Sequence, residues 1–598
     1  MFICCFLLVC ALLMSIASTD AGAAPANPYW PMANRSVATT LSVPDDQLLA
    51  KEPAGHAFWL AWGYTASQSR ECGNAKLLDK CERLWDGIAA KYTSGAPFPD
   101  GGFWGHLQLL ESLRFLSTVK AVDPARLAAW KSAMHPEIEK ELASYGHVNK
   151  DNWASAAAKQ YPNADAQYAA VMYAAYLVYG DDRYKASASE FVQAMDKFLR
   201  PPGAWLYYLS STPIPLYHGF EVTFLGRYYQ LSHDESAADQ LRRTAKFYPY
   251  TFAPENTVEY SSAPWWKQGW NPVGGPYHAV ELVAWVSGDP YNRWFADLRA
   301  KQFEPYYWVV YYGEAWDAAQ AKPVAPLPFP DRYVVEDKSV DGLRGRFGAF
   351  SWVGARGKNT ISFGGAMLAN AAMPLGYDGY VQFAHLGIRV PGTDGKPYFN
   401  AIRLIGDPAS IPTPGAQSLD KESAALAVRY TPRLQGKPDA SYDDWTVDEI
   451  WQYMPTAVVA AFEATALKDN PGTLPEGLVR LGPIARPHAL DGKSFNIGGL
   501  NGKILASDFD AIAMADGEPD ELAHDARVNV SLKFSSPLAT ITKGQRFGYI
   551  IAFTPSASTV IESSRAKDGT VNVTVDGVKY SARYDGGNRM VRTVPRSK

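Results

Sequence analysis

The sequence predicts a multidomain α and β protein, with an N-terminal incomplete α/α toroid followed by a C-terminal antiparallel β-sandwich. Three observations support this prediction: a helical repeat in the first half, a cluster of prolines near the middle, and strand-like segments separated by turn residues in the second half. We assign residues 24–320 to the toroid, residues 321–335 to a Pro-rich linker and residues 336–598 to the sandwich.

The composition is that of a folded protein with substantial hydrophobic cores. The chain has 598 residues, of which 47% are hydrophobic and 20% are charged, so it is not a disordered or low-complexity protein. Its formal net charge of -4 argues against a duplex-binding protein, which usually shows a basic balance or stripe. Aromatic residues make up 13% of the chain and suit either a plain core or a cleft in which sugar rings stack on flat apolar faces.

Residues 1–23 are predicted to be a signal peptide. Phe2 to Ser18 is apolar and uncharged, and Ala21-Gly22-Ala23 has the small-x-small pattern of a cleavage site. No Lys or Arg precedes the apolar run, which is nearly long enough to span a bilayer, so an uncleaved anchor is the alternative. No later stretch could span a membrane. We therefore expect a secreted or periplasmic protein without stable membrane insertion after signal removal.

Two cysteines remain after the predicted cleavage, Cys72 and Cys81. Two nearby cysteines in an exported protein most simply form one disulfide. No further Cys or His lies close to them in the sequence, so a metal site at this position is not expected. We expect no cofactor, and no cluster of ligand residues supports a structural divalent cation.

Four short acidic turns divide the first half into helical hairpins. The turns are Val122-Asp123-Pro124, Gly180-Asp181-Asp182, His233-Asp234-Glu235 and Gly288-Asp289-Pro290. Each turn follows an apolar, aromatic helix of the kind that is buried on most sides, and it precedes a more polar helix with one apolar stripe. Stacked hairpins of this length form an open solenoid or a closed toroid, and the buried helices favour the toroid because they need an inner ring.

The opposite ends of these hairpins carry long aromatic loops that are rich in Gly and Pro. The loops are Tyr92–His106, Ser144–Asp165, Pro201–Gly219 and Tyr248–Tyr277. Short turns at one rim and long loops at the other predict that a functional site is built at the loop rim.

The second half begins with prolines at 323, 326, 328 and 330, which indicate a stiff linker. Strand-like segments follow, and turn residues such as Val575-Asp576-Gly577 separate them. The segments are Gly348–Val353, Thr360–Gly364, Tyr380–Val390, Ala424–Tyr430, Val528–Phe534, Phe547–Thr554 and Thr570–Tyr584. Such a series is typical of an antiparallel sandwich.

The four loops carry residue types suited to sugar binding and proton transfer. They include Asp100, Trp104, His106, Asp151, Asn152, Trp153, Tyr217, His218, Glu221, Glu255, Glu259, Tyr260, Trp265, Trp266 and Lys267. Two of them, His106 and His218, stand at nearly equivalent positions on two hairpins.

The predicted architecture behind a signal peptide resembles the two-domain polysaccharide lyases of the heparinase, alginate lyase and hyaluronate lyase type. Tyr217-His218-Gly219 is similar to the His-Gly that begins a catalytic helix in heparinase-like lyases, and Glu259-Tyr260-Ser261 is similar to their Tyr-bearing loop. Asn152-Trp153 resembles the Asn-Trp of hyaluronate-type enzymes. The architecture covers nearly the whole chain, whereas each motif is short. The Asn-His pair common in these enzymes is Tyr217-His218 here, so Tyr217 stands where the resemblance implies a carboxylate-neutralising Asn.

The resemblance implies β-elimination on a uronic-acid-containing polysaccharide. A carboxylate must be neutralised, a base must remove the adjacent proton, and an acid can return a proton to the leaving oxygen. We assign Asn152 as neutraliser, His218 as base or neutraliser, and Tyr260 as base or acid. The expected substrate-binding residues are Trp104, His106, Trp153, Tyr217, Arg227, Trp265, Trp266, Lys267 and His385.

Structural alternatives remain for these candidates. His218 could be a satisfied core histidine, Asn152 a helix cap, and Trp265-Trp266 a loop anchor. The expected partner is an anionic polysaccharide and not a nucleic acid, and the sequence leaves the oligomeric state open.

Two other functions stay open at this point. A glycoside hydrolase with an α/α toroid would need a carboxylate pair, for which Asp100, Asp151, Glu221, Glu255 and Glu259 are candidates. A non-catalytic glycan-binding protein would explain the aromatic residues, but not the clustered His, Asn and Tyr.

Overall fold

The helices and strands are those of a computed structural model, which describes part of the chain. The described residues are 26–96, 103–145, 162–206, 215–248, 279–299, 307–320, 324, 332–338, 342–355, 363–369, 377–383, 386–392, 397–399, 415–419, 421–434, 437–471, 474–481, 488–517, 527–536, 538, 540–585 and 590–593. The predicted signal peptide, residues 1–23, and most of the predicted linker lie outside them.

The described part of the first half contains thirteen helices, which begin at residue 29 and end at residue 319. They are α1 Tyr29–Ser42, α2 Asp45–Ala50, α3 Pro53–Thr65, α4 Ala75–Ser94, α5 Phe103–Leu116, α6 Pro124–Tyr145, α7 Pro162–Tyr179, α8 Asp182–Asp196, α9 Pro215–Ser232, α10 Glu235–Thr244, α11 Val280–Ser287, α12 Pro290–Arg299 and α13 Val309–Ala319.

The four acidic turns each start the second helix of a hairpin. In every case the aspartate side chain accepts a 2.9 Å hydrogen bond from the backbone N–H two residues later, which satisfies one of the free donors at the helix start. The four aspartates are Asp123, Asp181, Asp234 and Asp289. The predicted helical hairpins α5–α6, α7–α8, α9–α10 and α11–α12 are therefore confirmed, and the repeated turn is a repeated helix cap.

The first helices of these hairpins pack side by side. Helices α1, α3, α5, α7, α9, α11 and α13 contact one another in that order, and α13 contacts α1. The contact between the first and last helix is polar as well as apolar. The Nδ2 of Asn27 donates to Gly313 O and to Asp317 Oδ1, both at 2.8 Å, and Trp30 Nε1 donates to Asp317 Oδ2 at 2.9 Å.

The second half is built from antiparallel strands. The strands of the chain are β1 Leu199–Arg200, β2 Ala204–Trp205, β3 Arg332–Asp337, β4 Gly342–Phe347, β5 Phe350–Ala355, β6 Phe363–Ala369, β7 Tyr377–Gln382, β8 Leu386–Pro391, β9 Pro397–Phe399, β10 Gly415–Leu419, β11 Ala424–Tyr430, β12 Arg433–Leu434, β13 Lys437–Ser441, β14 Trp445–Met454, β15 Ala457–Ala466, β16 Glu476–Leu481, β17 His488–Asp491, β18 Ser494–Ile497, β19 Leu500–Ser507, β20 Ala511–Gly517, β21 Arg527–Lys533, β22 Arg546–Thr554, β23 Ile561–Arg565, β24 Val571–Val575, β25 Val578–Tyr584 and β26 Met590–Thr593.

An eight-stranded sheet lies in the middle of this half, with the strand order β10-β11-β14-β15-β22-β19-β18-β17. One of its faces shares a core with the five-stranded sheet β3 to β7 and the seven-stranded sheet β13-β12-β9-β8-β16-β21-β20. The other face packs on the four-stranded sheet β23 to β26. In β15, Val458 and Phe462 face the first core and Val459 and Ala461 the second, because successive side chains of a strand point to opposite faces.

Each predicted strand segment overlaps an observed strand, and two of the segments are split between two strands. Residues 360–362 and 384–385 of these segments lie outside the described residues. The turn at Asp576-Gly577 joins β24 to β25, and both residues have the positive φ angles, 48° and 83°, that a two-residue hairpin requires. The sequence did not predict the two longest strands of the middle sheet, β14 and β15.

The predicted disulfide is wrong, because both cysteines are free thiols. Cys81 lies on the buried face of α4, whereas Cys72 is exposed in the turn before that helix. The two side chains therefore occupy different environments.

No helix within the described ranges is long and apolar enough to cross a membrane.

Candidate functional site

The N-terminal ends of helices α5, α7, α9 and α11 follow the four long loops of the sequence. Most of these loops, residues 97–102, 146–161, 207–214 and 249–278, lies outside the described residues. The first turns of the helices are described, and each carries a buried polar side chain where an apolar one would be expected in a core. These residues are His106, Asp165, His218 and Glu281, and Glu221 follows in the second turn of α9.

His218 occupies the first turn of α9 and is 1% exposed. Its ring lies between aromatic rings, with centroids 5.4 Å from Trp205 and 4.3 Å from Phe247. Neither ring nitrogen has a hydrogen-bond partner among the described residues. Burial in this apolar cage lowers the pKa of His218 to about 3, so the ring is neutral at physiological pH. A neutral imidazole keeps one nitrogen available as a proton acceptor.

Two buried carboxyl groups accompany His218. Glu221 follows it by almost one turn of α9, and its Oε2 lies 3.6 Å from His218 Nδ1. Asp165 lies in the first turn of α7, the helix that packs against α9. Burial raises the pKa of both carboxyl groups well above their ordinary values, and the charge of Asp165 raises that of Glu221 further. Within the described ranges neither carboxyl forms an ion pair with Lys or Arg, so desolvation is not offset.

A tyrosine and glutamate pair extends this polar surface toward α11. The pKa of Tyr248 is raised, first by its burial and then by Glu281, Tyr312 and Glu221 nearby. Glu281 in turn accepts a hydrogen bond from the hydroxyl of Tyr29. The helix starts of α9 and α11 are therefore joined by buried titratable groups.

The sequence-predicted histidine on α5 is held by a carboxylate. His106 Nδ1 lies 2.5 Å from Oε1 of Glu141, and the pair links α5 to α6. His106 and His218 are each the fourth residue of their helix, as their spacing predicted. Only His218 combines burial with two unpartnered ring nitrogens in the described part of the chain.

Arg227 lies elsewhere on α9. Nine residues separate it from His218, which is about 13 Å along a helix axis. Its guanidinium contacts both carboxylate oxygens of Glu111 at 2.5 Å, and it donates to Glu314 at 2.6 Å. The structure does not bring Arg227 to the His218 cluster, and its donors are engaged by α5 and α13.

The other predicted site residues divide into two groups. Tyr217 is half-buried at the start of α9, with its ring centroid 6.2 Å from that of Phe220. Trp104 belongs to α5. The residues Asn152, Trp153, Tyr260, Trp265, Trp266, Lys267 and His385 lie outside the described residues.

Three residues of this surface, Asp165, Tyr248 and Glu281, were not predicted from the sequence. Asp165 follows a proline at a helix start, where an acidic residue is favoured for local electrostatic reasons, so its burial gave no signal. Tyr248 ends the segment after α10 and is one of 34 tyrosines. The sequence gives one indication that Asp165 belongs to this surface, which is its position opposite the His-Gly pair of the next hairpin. This position is informative only because α7 and α9 are neighbours.

Within the described part of the chain, no group of three or more His, Cys, Asp or Glu side chains is arranged to hold a metal ion. His218, Glu221 and Asp165 are buried side chains of types that can accept or donate a proton.

No family model matches the chain, and no curated protein sequence matches it significantly. Solved structures do resemble it. The chondroitin AC lyase of Streptomyces coelicolor A3, solved with chondroitin sulfate, has a TM-score of 0.52 and 13% identity, over 95% of this chain and 86% of that one. A heparinase III has a TM-score of 0.49 and 10% identity, over 93% and 90%. A heparan sulfate lyase from Pedobacter heparinus has a TM-score of 0.46 and 10% identity, over 92% and 83%.

The first of these likenesses shows the fold. The chain shares the fold of chondroitin AC lyase, and this is a polysaccharide lyase fold of helices followed by antiparallel sheets. A likeness at 13% identity shows the fold and not the activity.

Proposed function

We propose that the protein is an exported polysaccharide lyase that cleaves a uronic-acid-containing polysaccharide by β-elimination. In this proposal the helices of residues 24–320 form an incomplete α/α toroid, and residues 336–598 form a β-sandwich after a Pro-rich linker. The substrate lies at the rim where the long loops meet the N-terminal ends of the inner helices. The first 23 residues direct export to the periplasm or the exterior.

The observation that carries this proposal is the state of His218. Its pKa of about 3 keeps the imidazole neutral, and both nitrogens lack partners among the described residues. A structural histidine in a core normally has its ring nitrogens bonded, because an unsatisfied buried polar atom is unfavourable. The unsatisfied ring therefore supports a role as proton acceptor.

The proposed reaction proceeds by loss of the C5 proton of a uronate. His218 or Tyr260 accepts that proton, while the amide of Asn152 donates a hydrogen bond to the substrate carboxylate and stabilises the negative charge. The electron pair then forms a double bond between C4 and C5 as the C4–O bond breaks. The departing oxygen takes a proton, for which the Tyr260 hydroxyl is the proposed donor. The indoles of Trp104, Trp265 and Trp266 are proposed to stack on sugar rings.

The test follows two products at once. β-Elimination leaves a conjugated double bond that absorbs ultraviolet light, whereas hydrolysis leaves none, and both reactions create reducing ends. On alginate, hyaluronate, chondroitin sulfate and heparan sulfate, a lyase raises both signals together. Tyr260→Phe and His218→Gln should lower both signals by about 10²–10⁴-fold, which is the usual contribution of a general acid or base.

A matched control is His135→Gln. His135 is 42% exposed on the outer helix α6, so this change should leave the rate at the wild-type value. An equal loss in both histidine variants would reject the assignment of His218.

One observation favours a second candidate, a glycoside hydrolase. Asp165 and Glu221 are neighbouring carboxyl groups with raised pKa values, and a protonated carboxylic acid is what hydrolysis uses as its general acid. Reducing ends without ultraviolet absorbance would support this candidate over the lyase, and Glu221→Gln would then abolish the reaction.

A further inference from the structure

The outer face of the eight-stranded sheet carries a groove that is separate from the helical site. Strand β22 forms its floor, β19 lies on one side, and the edge strand β23 lies on the other. Two cavities, of about 450 and 320 Å³, open along this groove. Alternate residues of β22 line them, because alternate side chains of a strand share one face. These residues are Arg546, Gly548 and Ile550 in the larger cavity, which Tyr549 also lines, and Ala552 and Thr554 in the smaller.

The larger cavity is lined by three cations, Arg546, Arg565 and Lys567. Arg565 is held in place, since its Nη1 donates to Glu463 Oε2 at 2.7 Å and its Nη2 donates to Phe462 O at 3.2 Å. Arg546 is held loosely by one contact of 3.4 Å with the same carboxylate, and half of its side chain is exposed.

The carboxylates of this cavity do not pair with all of the hydrogen-bond donors of its cations. Glu463 is shared by the two arginines, and Asp508 accepts a 2.8 Å hydrogen bond from the backbone N–H of Gly548. Lys567 is exposed and forms no ion pair with a described residue. Three cations therefore face two carboxylates, and the free donors belong to Arg546 and Lys567.

Gly548 keeps this cavity open. A Cβ at this position would lie 2.1 Å from Phe462 O and 2.8 Å from Arg565 Nη1. Any larger residue would therefore displace Arg565 from Glu463.

The smaller cavity has a different chemistry. Its lining is rich in amide and hydroxyl groups, with Asn496, Asn501, Thr554 and Thr559 beside the exposed Lys503. Asn496 Nδ2 donates to Asn501 Oδ1 at 3.1 Å, so the two amides are oriented by each other. Such groups suit the hydroxyls of a sugar ring.

We propose that this groove is a second binding site for an acidic glycan chain, with carboxylate or sulfate groups at Arg546 and Lys567 and sugar hydroxyls at Asn496 and Asn501. Eight residue steps of β22 separate Arg546 from Thr554, which is about 27 Å in a strand. The two cavities therefore lie at opposite ends of β22 and could contact different sugar units of one chain. The proposal does not depend on the reaction at the helical site, because it requires an anionic chain and no catalysis.

Lysine footprinting tests this site directly. The full-length protein is treated briefly with acetic anhydride, with and without glycan, and the acetylation of each lysine is measured by mass spectrometry. Chondroitin sulfate provides sulfate groups, alginate provides carboxylates alone, and a neutral glucan provides neither. At a glycan concentration ten times its Kd, about one site in eleven stays free, so acetylation of Lys567 and Lys503 should slow about tenfold.

Two lysines of the same half serve as internal controls. Lys543 and Lys579 are exposed and lie outside both cavities, so their acetylation should not change. Protection by chondroitin sulfate but not alginate would identify sulfate as the bound group. Protection by both would show that a carboxylate is sufficient for binding.

A charge variant completes the experiment. Arg546→Gln should remove most of the protection at Lys567, whereas the matched change Arg332→Gln, at an exposed arginine of β3 outside the cavities, should not. The proposal is overturned if no acidic glycan protects Lys567, if the neutral glucan protects it equally, or if Arg546→Gln leaves its protection unchanged. A protein that shows no eliminase activity but does show this protection would reject the proposed lyase and retain the groove.

Discussion

Nδ1 of His218 lies 3.6 Å from Oε2 of Glu221, with both side chains 1% exposed inside the first turns of helix α9. This separation is longer than a hydrogen bond, so the two groups are neighbours without being bonded to each other. Burial lowers the pKa of the imidazole and raises that of the carboxyl group. Both effects favour the neutral form, and the pair is expected to be uncharged at neutral pH.

The pH dependence of activity should reflect this neutral histidine. Because the pKa of His218 is about 3, its protonation state does not change between pH 5.5 and 7.5. We expect that kcat/KM on a uronate polymer shows no inflection near pH 6.5, the ordinary histidine value. An inflection there in the wild-type protein that is absent from His218→Gln would contradict the buried state of this ring.

Asp165→Asn should stabilise the protein at alkaline pH. The folded-state pKa of Asp165 is raised above its unfolded value, so the wild-type protein loses stability as the pH rises through the folded pKa. Asparagine does not titrate, and the loss should disappear. Urea unfolding should give similar free energies of unfolding for the wild type and the variant at pH 4. At pH 8 the free energy of unfolding of the variant should be higher by on the order of 1–3 kcal/mol.

Asp568→Asn is the control of opposite sign. This exposed carboxylate has a lowered pKa because Thr570 and Arg583 stabilise its charge. The charged Asp568 side chain stabilises the folded protein above the ordinary carboxyl pKa, and this stabilisation is lost as the pH falls. The variant should therefore be less stable than the wild type at pH 8. Stabilisation of both variants at pH 8 would show that the effect at Asp165 is not a consequence of burial.

Removal of Arg227 should destabilise the helical half. The Arg227→Met variant leaves the carboxylate of Glu111, which is fully buried, without its main partner. Breaking one side of a buried pair is unfavourable by about 3–5 kcal/mol. The double variant Arg227→Met/Glu111→Leu should recover most of this loss in a urea titration. If the double variant is no more stable than the single one, the unpaired carboxylate is not the cause.

The two cysteines should react at very different rates. Cys72 is exposed, whereas burial raises the pKa of Cys81 and removes it from reagents. Without reductant, iodoacetamide should label Cys72 in the native protein and Cys81 only after unfolding, as read by peptide mass. A Cys72–Cys81 cross-linked peptide would contradict the structure.

The sequence predicted those features that depend on local interactions. The four aspartate turns are an example, because the aspartate caps the helix that follows it and needs only the next two residues to do so. The Asp576-Gly577 hairpin is another, since both residues tolerate a positive φ.

Strand β15 was missed for a physical reason. Its sequence, Ala457–Ala466, is rich in alanine and lacks alternation, because both faces of the strand are buried between two layers. Alanine favours a helix when isolated. The neighbouring strands β14 and β22 determine its conformation, and no local pattern reports their presence.

Within the site, the sequence identified His218 from its position at the start of a repeated helix. It did not identify Asp165, because the relevant fact is the packing of α7 against α9. A carboxyl group that appears to be an ordinary helix-start residue becomes a buried one when the next hairpin covers it.

The contact between Asn27 and Asp317 joins residues that are 290 positions apart. Closing a loop of this length carries an entropic penalty that must be met before the contact contributes, so contacts of this kind form late in folding. During synthesis, α1 has its neighbour α3 long before α13 exists. The series of helices therefore remains open on the α1 side until residues near 317 have been added, and a ribosome-bound chain that ends before them should still be sensitive to proteases at its first helix.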